Sequence, residues 1–305
     1  MIAKLPNGND VLGDYEYFSD IDFIVTDLDG TLIAGGDNVL TQIKRDIQFL
    51  RRYQVQITIA TGRTYAGAQS LMHEIDLKIG MPVALYNGSV VVEYGTDKVL
   101  YCNPIKYDVV RKLVDYINLS EANIYIYTFA IENLILIYEG ESRIKERVYG
   151  LGKRRCQKDI NGLMIEWLDE LKKINEPILA ILIEKENINK DENDRVKAFF
   201  KSNLDILYTD SGNGFIEVKG QGLNKGIIIQ ILKQKYKFNK ILAIGDNDND
   251  KELFENADIS VAVEDSSFVA IENADYICEN KSAEGFWDML EVIKKAKKYY
   301  KKEKI

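Results

Sequence analysis

The sequence predicts an α/β fold with a doubly wound parallel sheet as its core and an α+β domain inserted into it. Two observations predict the core. Apolar runs such as FIV at 23–25 and ILAI at 241–244 are typical of parallel strands covered on both faces. Helical patterns separate these runs, and that alternation is typical of doubly wound sheets. The third observation concerns the middle of the chain, where strand-like runs follow one another directly, as in antiparallel pairs.

The first half of the core can be followed from the N-terminus. Residues 1–20 are polar and are expected to form an extension or a loose strap. The elements expected after them alternate regularly: a strand at 23–25, a helix at 41–52, a strand at 55–60, a helix near 64–75 and a strand at 82–86.

The rhythm changes after Asn87. SVVVEY and VLYCN flank a short turn, and we expect them to form a hairpin. The elements expected next are a helix at 106–118, paired strands in NIYIYTF and NLILIYE, helices around 142–150 and 163–174, a strand at 178–184, a helix at 191–201 and a strand near 204–208.

The alternating pattern then returns. It consists of a helix at 225–236, a strand at 241–244 and the strands ISVAV and DYICE. The sequence therefore predicts one discontinuous core domain, residues 1–88 and 206–305, with an inserted domain at about 89–205.

Composition limits the function. The chain has 305 residues with a net charge of −8, which argues against general affinity for nucleic acid or anionic membranes. No apolar run reaches the roughly 20 residues of a membrane span, and no hydrophobic leader is present, so a cytoplasmic location is expected. A single histidine and three scattered cysteines disfavour zinc, so any metal would be held by carboxylates, as Mg²⁺ is.

Polar residues follow three of the expected core strands. The stretches are FIVTDLDGTL, ITIATGRT and LAIGDNDND. Because ligands bind beyond the carboxyl ends of parallel strands, these three ends should converge at one edge of the sheet. In DLDGT, Asp27 and Asp29 can lean to one side while Gly30 allows a sharp turn, so one carboxylate can attack a phosphorus centre and the other can donate a proton.

The motifs DLDGT, TGR, Lys225 and GDNDND, in this order, resemble those of the haloacid dehalogenase-like hydrolases. The insertion between the second and third motifs is similar to the large α/β cap, class IIB, of the Cof-type phosphatases. YNGS, FIEV before GLNKG, and NADYICENKSAEG resemble the same subgroup. The resemblance covers nearly the whole chain after residue 20 and implies a Rossmann-like core, a cap domain and Mg²⁺ as cofactor.

The resemblance also implies roles for individual residues. Asp27 is the expected nucleophile, which forms an aspartyl-phosphate, and Asp29 is the expected general acid and base. The expected phosphate-site residues are Thr61, Gly62, Lys225 and Asn249. Magnesium would be held by Asp27, the backbone carbonyl of Asp29 and Asp246, with Asp250 behind them. Arg63 either assists at the rim or forms an ordinary salt bridge.

The expected activity is therefore magnesium-dependent hydrolysis of a small phosphorylated metabolite, such as a sugar phosphate. Alternatives are a hexose-phosphate phosphomutase and a sensor that binds phosphosugars without turnover. A calcium loop at GDNDND is disfavoured, because Lys251 and Ala257 replace the required Gly and Glu. GQGLNKG resembles a loose dinucleotide fingerprint, but nicotinamide binding would leave DLDGT unexplained. The oligomeric state, monomer or dimer, is left open, as is whether Tyr125 and Tyr127 face the site or the interior of the cap.

Overall fold

The computed structural model describes residues 2–7, 12–36, 38–96, 98–117, 122–133, 142–152, 155–159, 162–184, 190–202, 205–210 and 214–300. The chain divides into two compact units, and each is described by itself. The core unit consists of residues 1–63, 68–95 and 224–305, and the cap unit consists of residues 64–67 and 96–223.

The core unit is built on a six-stranded sheet in which every neighbouring pair of strands is parallel. In pairing order the strands are β1 (Ala3–Lys4), β15 (Tyr276–Ile277), β14 (Ile259–Ala262), β13 (Ile241–Gly245), β2 (Phe23–Thr26) and β3 (Gln56–Ile59). Thr26 pairs with Ile59 on one side and Ile244 on the other. The segments that follow β2, β3 and β13 therefore leave the sheet at one edge, which confirms the predicted fold class of the core.

Helices cover this sheet. They are α1 (Thr41–Arg51), α2 (Tyr65–Glu74), α5 (Ile227–Lys235), α6 (Lys251–Asn256), α7 (Phe268–Asn273) and α8 (Ser282–Tyr300). Helices α1 and α8 pack on each other, and α6 packs on both α5 and α7. All residues of β2, β13 and β14 are buried, as parallel strands under helices require. No helix in the described part of the chain has the length and apolar character needed to cross a bilayer.

A small antiparallel extension follows β3. Ala60 forms a bridge with Ala84 of β4 (Pro82–Leu85), and β4 leads into β5 (Val90–Glu93) and β6 (Lys98–Cys102). The predicted run of two β-rich segments is thus present, and β4 ends next to the end of β3.

The N-terminal segment is docked on the core, so the prediction of a loose strap is wrong for its described residues. β1 adds an edge strand beside β15, and a 3₁₀ helix at Leu12–Phe18 packs on α8. Phe18 is fully buried. The buried ammonium of Lys297 donates hydrogen bonds to the carbonyl oxygens of Ser19 and Ile21, at 2.7 and 2.5 Å. Apolar anchors among the polar residues therefore order this segment.

The cap unit contains a second six-stranded sheet, of mixed direction. In pairing order its strands are β11 (Ile206–Asp210), β12 (Phe215–Gly220), β10 (Ile178–Glu184), β7 (Ile124–Asn133), β8 (Ser142–Leu151) and β9 (Ile165–Trp167). Its helices are α3 (Tyr107–Tyr116) and α4 (Lys190–Ser202). The helices expected around 142–150 and 163–174 are wrong: β8 pairs with β7 along its length, and β9 and a 3₁₀ turn at Leu171–Lys173 occupy the second segment. The strand expected in NLILIYE lies mostly outside the described residues.

One face of the cap sheet carries the apolar core of this unit. The buried residues alternate along the strands, with Ile124 and Ile126 of β7 beside Ile181 and Ile183 of β10. Val109, Val110 and Leu113 of α3 and Val196, Phe199 and Phe200 of α4 pack against them. Because side chains alternate between the faces of a strand, Tyr125, Tyr127, Leu182 and Glu184 lie on the opposite face.

Candidate active site

The centre of the site is a buried lysine between two buried carboxylates. Asp27 follows β2, Lys225 precedes α5, and Asp250 lies in a 3₁₀ turn after β13. The ammonium of Lys225 is 3.0 Å from Oδ1 of Asp27 and 2.7 Å from Oδ1 of Asp250. Lys225 is 1% exposed, Asp27 5% and Asp250 0%. Three segments distant in sequence therefore converge, as the strand-end motifs predict.

Asp246 completes an acidic group beside this pair. Carboxylate oxygens of Asp27, Asp246 and Asp250 all lie within 4.8 Å of one another. Thr31 donates a hydrogen bond to Oδ1 of Asp246 at 2.7 Å. Gly30 has a φ of +81°, and a β-carbon there would lie 2.5 Å from Oδ2 of Asp246. The glycine of DLDGT is therefore required both by its backbone conformation and by the close approach of Asp246.

Burial and mutual repulsion raise the pKa values of two of these carboxyl groups. Burial, followed by repulsion from Asp250 and Asp246, raises the pKa of Asp27 to about 7, although Lys225 opposes this rise. Burial also raises the pKa of Asp246 to about 6. For Lys225, burial disfavours the charge, but the attraction of Asp250 and Asp27 outweighs it and raises the pKa of the ammonium. Lys225 is therefore held as a cation.

The residues present fit a hard divalent cation. Three carboxylates against one ammonium leave two negative charges uncompensated, and two charges about 4 Å apart repel by about 4 kcal/mol at an effective dielectric of 20. Within the described residues, Oδ2 of Asp27 and Oδ2 of Asp246 accept no hydrogen bond. Carboxylate oxygens are what Mg²⁺ prefers.

Asp250 is already engaged within the protein. Its Oδ1 accepts from Lys225, and its Oδ2 accepts the backbone N–H groups of Asp246 and Asn247, at 3.0 and 3.1 Å. Such a carboxylate orients its neighbours more readily than it binds a metal. The position of Asp250 behind a cation stays a prediction.

Asp29 and Arg63 form an ion pair at the edge of the site. The guanidinium donates from Nε to Oδ2 of Asp29 at 2.8 Å and from Nη2 to Oδ1 at 2.6 Å. The Asp29 side chain is 58% exposed. The structure thus shows the salt bridge that the sequence left as one reading of Arg63. Among the described residues, Asp29 is not part of the acidic group formed by Asp27, Asp246 and Asp250.

Thr61 follows β3 at the same edge. The Ala60 N–H donates to the Thr26 carbonyl, so Thr61 emerges beside Asp27, and it is almost fully buried. Its hydroxyl accepts the backbone N–H of Arg63 at 3.1 Å. This hydrogen bond closes the Thr61–Arg63 loop on itself next to Asp27.

The side chains of the stretch GDNDND differ in their exposure to solvent. Asp248 and Asn249 are exposed. The cap of the 3₁₀ turn is Asn247, whose side chain accepts the Asp248 N–H. Nδ2 of Asn249 donates to Oδ1 of Asn87 at 2.7 Å.

Two residues of this site, Thr31 and Asn87, were missed by the sequence reasoning. Thr31 is the last residue of DLDGT, and its place in that motif is the signal that could have found it. Asn87 follows β4, and YNGS supplied the signal there, although only as a resemblance.

Comparison with known proteins agrees with this geometry. A family model for haloacid dehalogenase-like hydrolases matches residues 24–290, which is most of the chain. The chain belongs to this family. The predicted resemblance is thereby confirmed, and the protein is an enzyme of the hydrolase class.

Named relatives of this hydrolase are distant but similar over most of their length. The Bacillus subtilis 5-amino-6-(5-phospho-D-ribitylamino)uracil phosphatase YwtE is 23% identical over 86% of this chain and 94% of its own. A second phosphatase of that name from the same organism, YitU, is 26% identical over 79% of this chain and 85% of its own. A haloacid dehalogenase-like hydrolase from Bacteroides thetaiotaomicron has a TM-score of 0.69 at 20% identity, with 90% of this chain and 98% of that one covered.

The cap unit of this hydrolase contains a pocket of its own, of about 260 Å³. Its floor is the sheet face opposite the helices, and its lining residues are Tyr125, Tyr127, Cys156, Lys158, Asp159, Leu182, Glu184 and Phe215. The Tyr125 hydroxyl donates to Glu184 and the Tyr127 hydroxyl donates to Asp159, each at 3.1 Å. Both tyrosines therefore lie outside the apolar interior of the cap.

Proposed function

We propose that this hydrolase is a magnesium-dependent phosphomonoesterase that acts through an aspartyl-phosphate on a small phosphorylated metabolite, with sugar phosphates as its substrate class. The observation that carries the proposal is the buried Asp27–Lys225 pair with Asp246 beside it. A carboxylate nucleophile, a fixed cation and two uncompensated negative charges in one buried place suit an anionic substrate that arrives with a divalent cation.

The proposed reaction uses this chain's residues in two steps. An oxygen of Asp27 attacks phosphorus, and the bond from phosphorus to the ester oxygen breaks. Asp29 gives its proton to the leaving oxygen, so the alcohol departs neutral. Asp29 then takes a proton from a water molecule, whose oxygen attacks phosphorus and releases inorganic phosphate and the Asp27 carboxylate.

Three other residues position the phosphoryl group in this proposal. Lys225 neutralises Asp27 and attracts phosphoryl oxygens, while the Thr61 hydroxyl and the Gly62 N–H donate hydrogen bonds to them. Asp27, the Asp29 carbonyl and Asp246 would hold Mg²⁺, which neutralises charge on the phosphoryl oxygens when bound. Arg63 donates two hydrogen bonds to the Asp29 carboxylate. Asp29 must therefore break this ion pair before it can transfer a proton to the leaving oxygen.

The groups that line the cap pocket suit a polyhydroxylated ligand. Two carboxylates, Asp159 and Glu184, offer acceptors for hydroxyl donors, and the rings of Tyr125 and Phe215 offer apolar faces. The volume of about 260 Å³ is slightly below the usual range for small-molecule pockets, about 300–1,000 Å³. The names of two Bacillus relatives specify a phosphorylated ribityl compound, and a ribityl chain has the same hydroxyl donors. Action in the cytoplasm, without nucleic acid or membrane as partner, stays a prediction from composition.

Release of inorganic phosphate is the direct test. Purified protein with p-nitrophenyl phosphate and Mg²⁺ should release p-nitrophenol and phosphate in equal amounts, and EDTA should stop both. Absence of phosphate release from this compound and from a panel of sugar and ribityl phosphates would refute the hydrolase. Transfer of phosphate within a hexose bisphosphate, without net release, would indicate the mutase instead.

The substrate class has a separate test in the cap. Glu184→Gln removes one carboxylate from the pocket with little change in shape. For the best sugar phosphate we expect KM to rise about tenfold, because a hydrogen bond to a charged group is lost. For p-nitrophenyl phosphate, which has no hydroxyl groups, KM should stay unchanged. Equal effects on both substrates would contradict polyol recognition by this pocket.

Magnesium binding predicts a change in thermal stability. A ligand that binds only the folded state stabilises it by about 2.7 kcal/mol at 100 times its Kd, so saturating Mg²⁺ should raise Tm by several degrees. Asp246→Asn should abolish this rise. Without metal the variant should melt no lower than wild type, because it relieves repulsion. Asp248→Asn, an exposed control, should respond to Mg²⁺ as wild type does, and a lost response there would contradict the assignment.

A further inference from the structure

The segment after β4 has an unusual backbone. Tyr86, Asn87 and Gly88 have consecutive φ values of +50°, +56° and +85°, and both non-glycine residues are buried. Left-handed conformations are unfavourable for residues with a side chain, and they persist where surrounding contacts determine them. The contacts of this segment therefore show what it is built to hold.

On one side the segment is fixed to the Thr61–Arg63 loop. The Asn87 N–H donates to the Thr61 carbonyl at 2.9 Å, and the Tyr86 N–H donates to the Arg63 carbonyl at 3.1 Å. The amide of Asn87 lies against Gly62, since a β-carbon there would be 3.1 Å from both Oδ1 and Nδ2 of Asn87. The side chain thus packs on the loop expected to bind phosphate.

On the other side the segment meets the two remaining motifs. A β-carbon on Gly88 would lie 2.4 Å from the carbonyl oxygen of Asn224, immediately before Lys225. The Asn87 Oδ1 accepts the hydrogen bond from Nδ2 of Asn249. Asn249 lies on an exposed turn, and Asn87 is its one hydrogen-bonded side-chain contact among the described residues. The buried Asn87 amide therefore fixes the exposed Asn249 amide through a hydrogen bond.

We infer that Asn87 is a positioning residue that fixes the Asn249 amide next to the Thr61–Gly62 loop. Hydrogen-bond donors that follow two different strands then bind the same phosphate together. This inference rests on the proposed function, because it takes both elements as phosphate-binding. An amide nitrogen carries two N–H donors. The bond to Asn87 uses one and fixes the direction of the other, which can then donate to a phosphoryl oxygen.

The test is a double-mutant cycle on binding of inorganic phosphate, measured by titration calorimetry with Mg²⁺. Asn87→Gly removes the amide while glycine accepts the positive φ. We expect Asn87→Gly and Asn249→Ala each to weaken phosphate binding about tenfold, as loss of a hydrogen bond to a charged group does. The double variant should bind within about twofold of either single variant, because residues that act through one another are not additive.

Gln54→Gly is the matched control. Gln54 is exposed and also has a positive φ, 64°, so it tests glycine in this backbone conformation away from the site, and phosphate binding should not change. The inference would be overturned by any of three results. The affinity losses of the two single variants multiply in the double variant, Asn87→Gly binds phosphate as wild type does, or wild type does not bind phosphate. If the losses of phosphate affinity are coupled but no substrate is hydrolysed, the positioning role of Asn87 stands and the proposed hydrolase is refuted. If the losses multiply while hydrolysis is normal, only the positioning role is refuted.

Discussion

Asp27→Asn is expected to reduce phosphate release with Mg²⁺ by on the order of 10⁵-fold or more, as removal of the nucleophile does in covalent enzymes, because Asp27 is the proposed nucleophile. The amide is nearly the same size as the carboxylate but cannot form the proposed aspartyl-phosphate. Lys225 keeps its shorter ion pair, with Asp250 at 2.7 Å, so the surroundings should persist. The measurement is kcat for p-nitrophenyl phosphate at saturating Mg²⁺.

Asp248→Asn is the matched control for this change. It makes the same substitution on the same edge of the sheet, but Asp248 is exposed, and its side chain forms no hydrogen bond or ion pair with any residue that the structure describes. We expect kcat within about twofold of wild type, since surface changes away from such contacts have small effects. Tm of Asp27→Asn should stay close to wild type, because burial and repulsion already raise the pKa of Asp27 to about 7. Turnover above one hundredth of wild type in Asp27→Asn would exclude Asp27 as the nucleophile.

The convergence of the strand-end motifs was predictable because parallel strands impose it. Asp27, Thr61 and Asp246 each follow a buried apolar run, and neighbouring parallel strands end at one edge. The identity of these residues and the topology were sufficient. The sequence could not show how the charges pair. The contact of Asp29 with Arg63, and not with the acidic group of Asp27, Asp246 and Asp250, depends on side-chain directions.

The cap was predicted less well because its strands do not follow local propensity. SRIKERVYGL in β8 contains Lys, Arg and Glu, which favour helices, yet it pairs with β7 through ten residues. Pairing in the sheet determines this element, as tertiary context often does for strands. Asn87 was missed for a related reason: it has no charge, and its left-handed backbone is set by contacts with residues far away in sequence.

Lys225→Met is expected to lower the free energy of unfolding by about 3–5 kcal/mol, the usual cost of removing one partner from a buried ion pair. Methionine fills a volume similar to that of the lysine side chain just before α5, so the loss of stability should be electrostatic. Asp27 and Asp250 would lose their shared cation while they stay buried. Chemical denaturation at pH 8 without metal measures the change, and phosphate release should also disappear.

The pH dependence of this loss identifies its cause. Burial and the neighbouring carboxylates raise the pKa of Asp27 to about 7 even beside Lys225, and the pKa should rise further without it. A carboxyl group whose folded pKa is raised destabilises the fold progressively as pH increases from its unfolded pKa, about 4, to its folded pKa. The deficit of Lys225→Met should therefore be larger at pH 8 than at pH 5, where the carboxyl group takes up a proton. Adding Asp250→Asn should recover part of it, because the unpaired charge is removed. An equal deficit at both pH values, with no recovery, would show that the loss of stability comes from packing and not from charge.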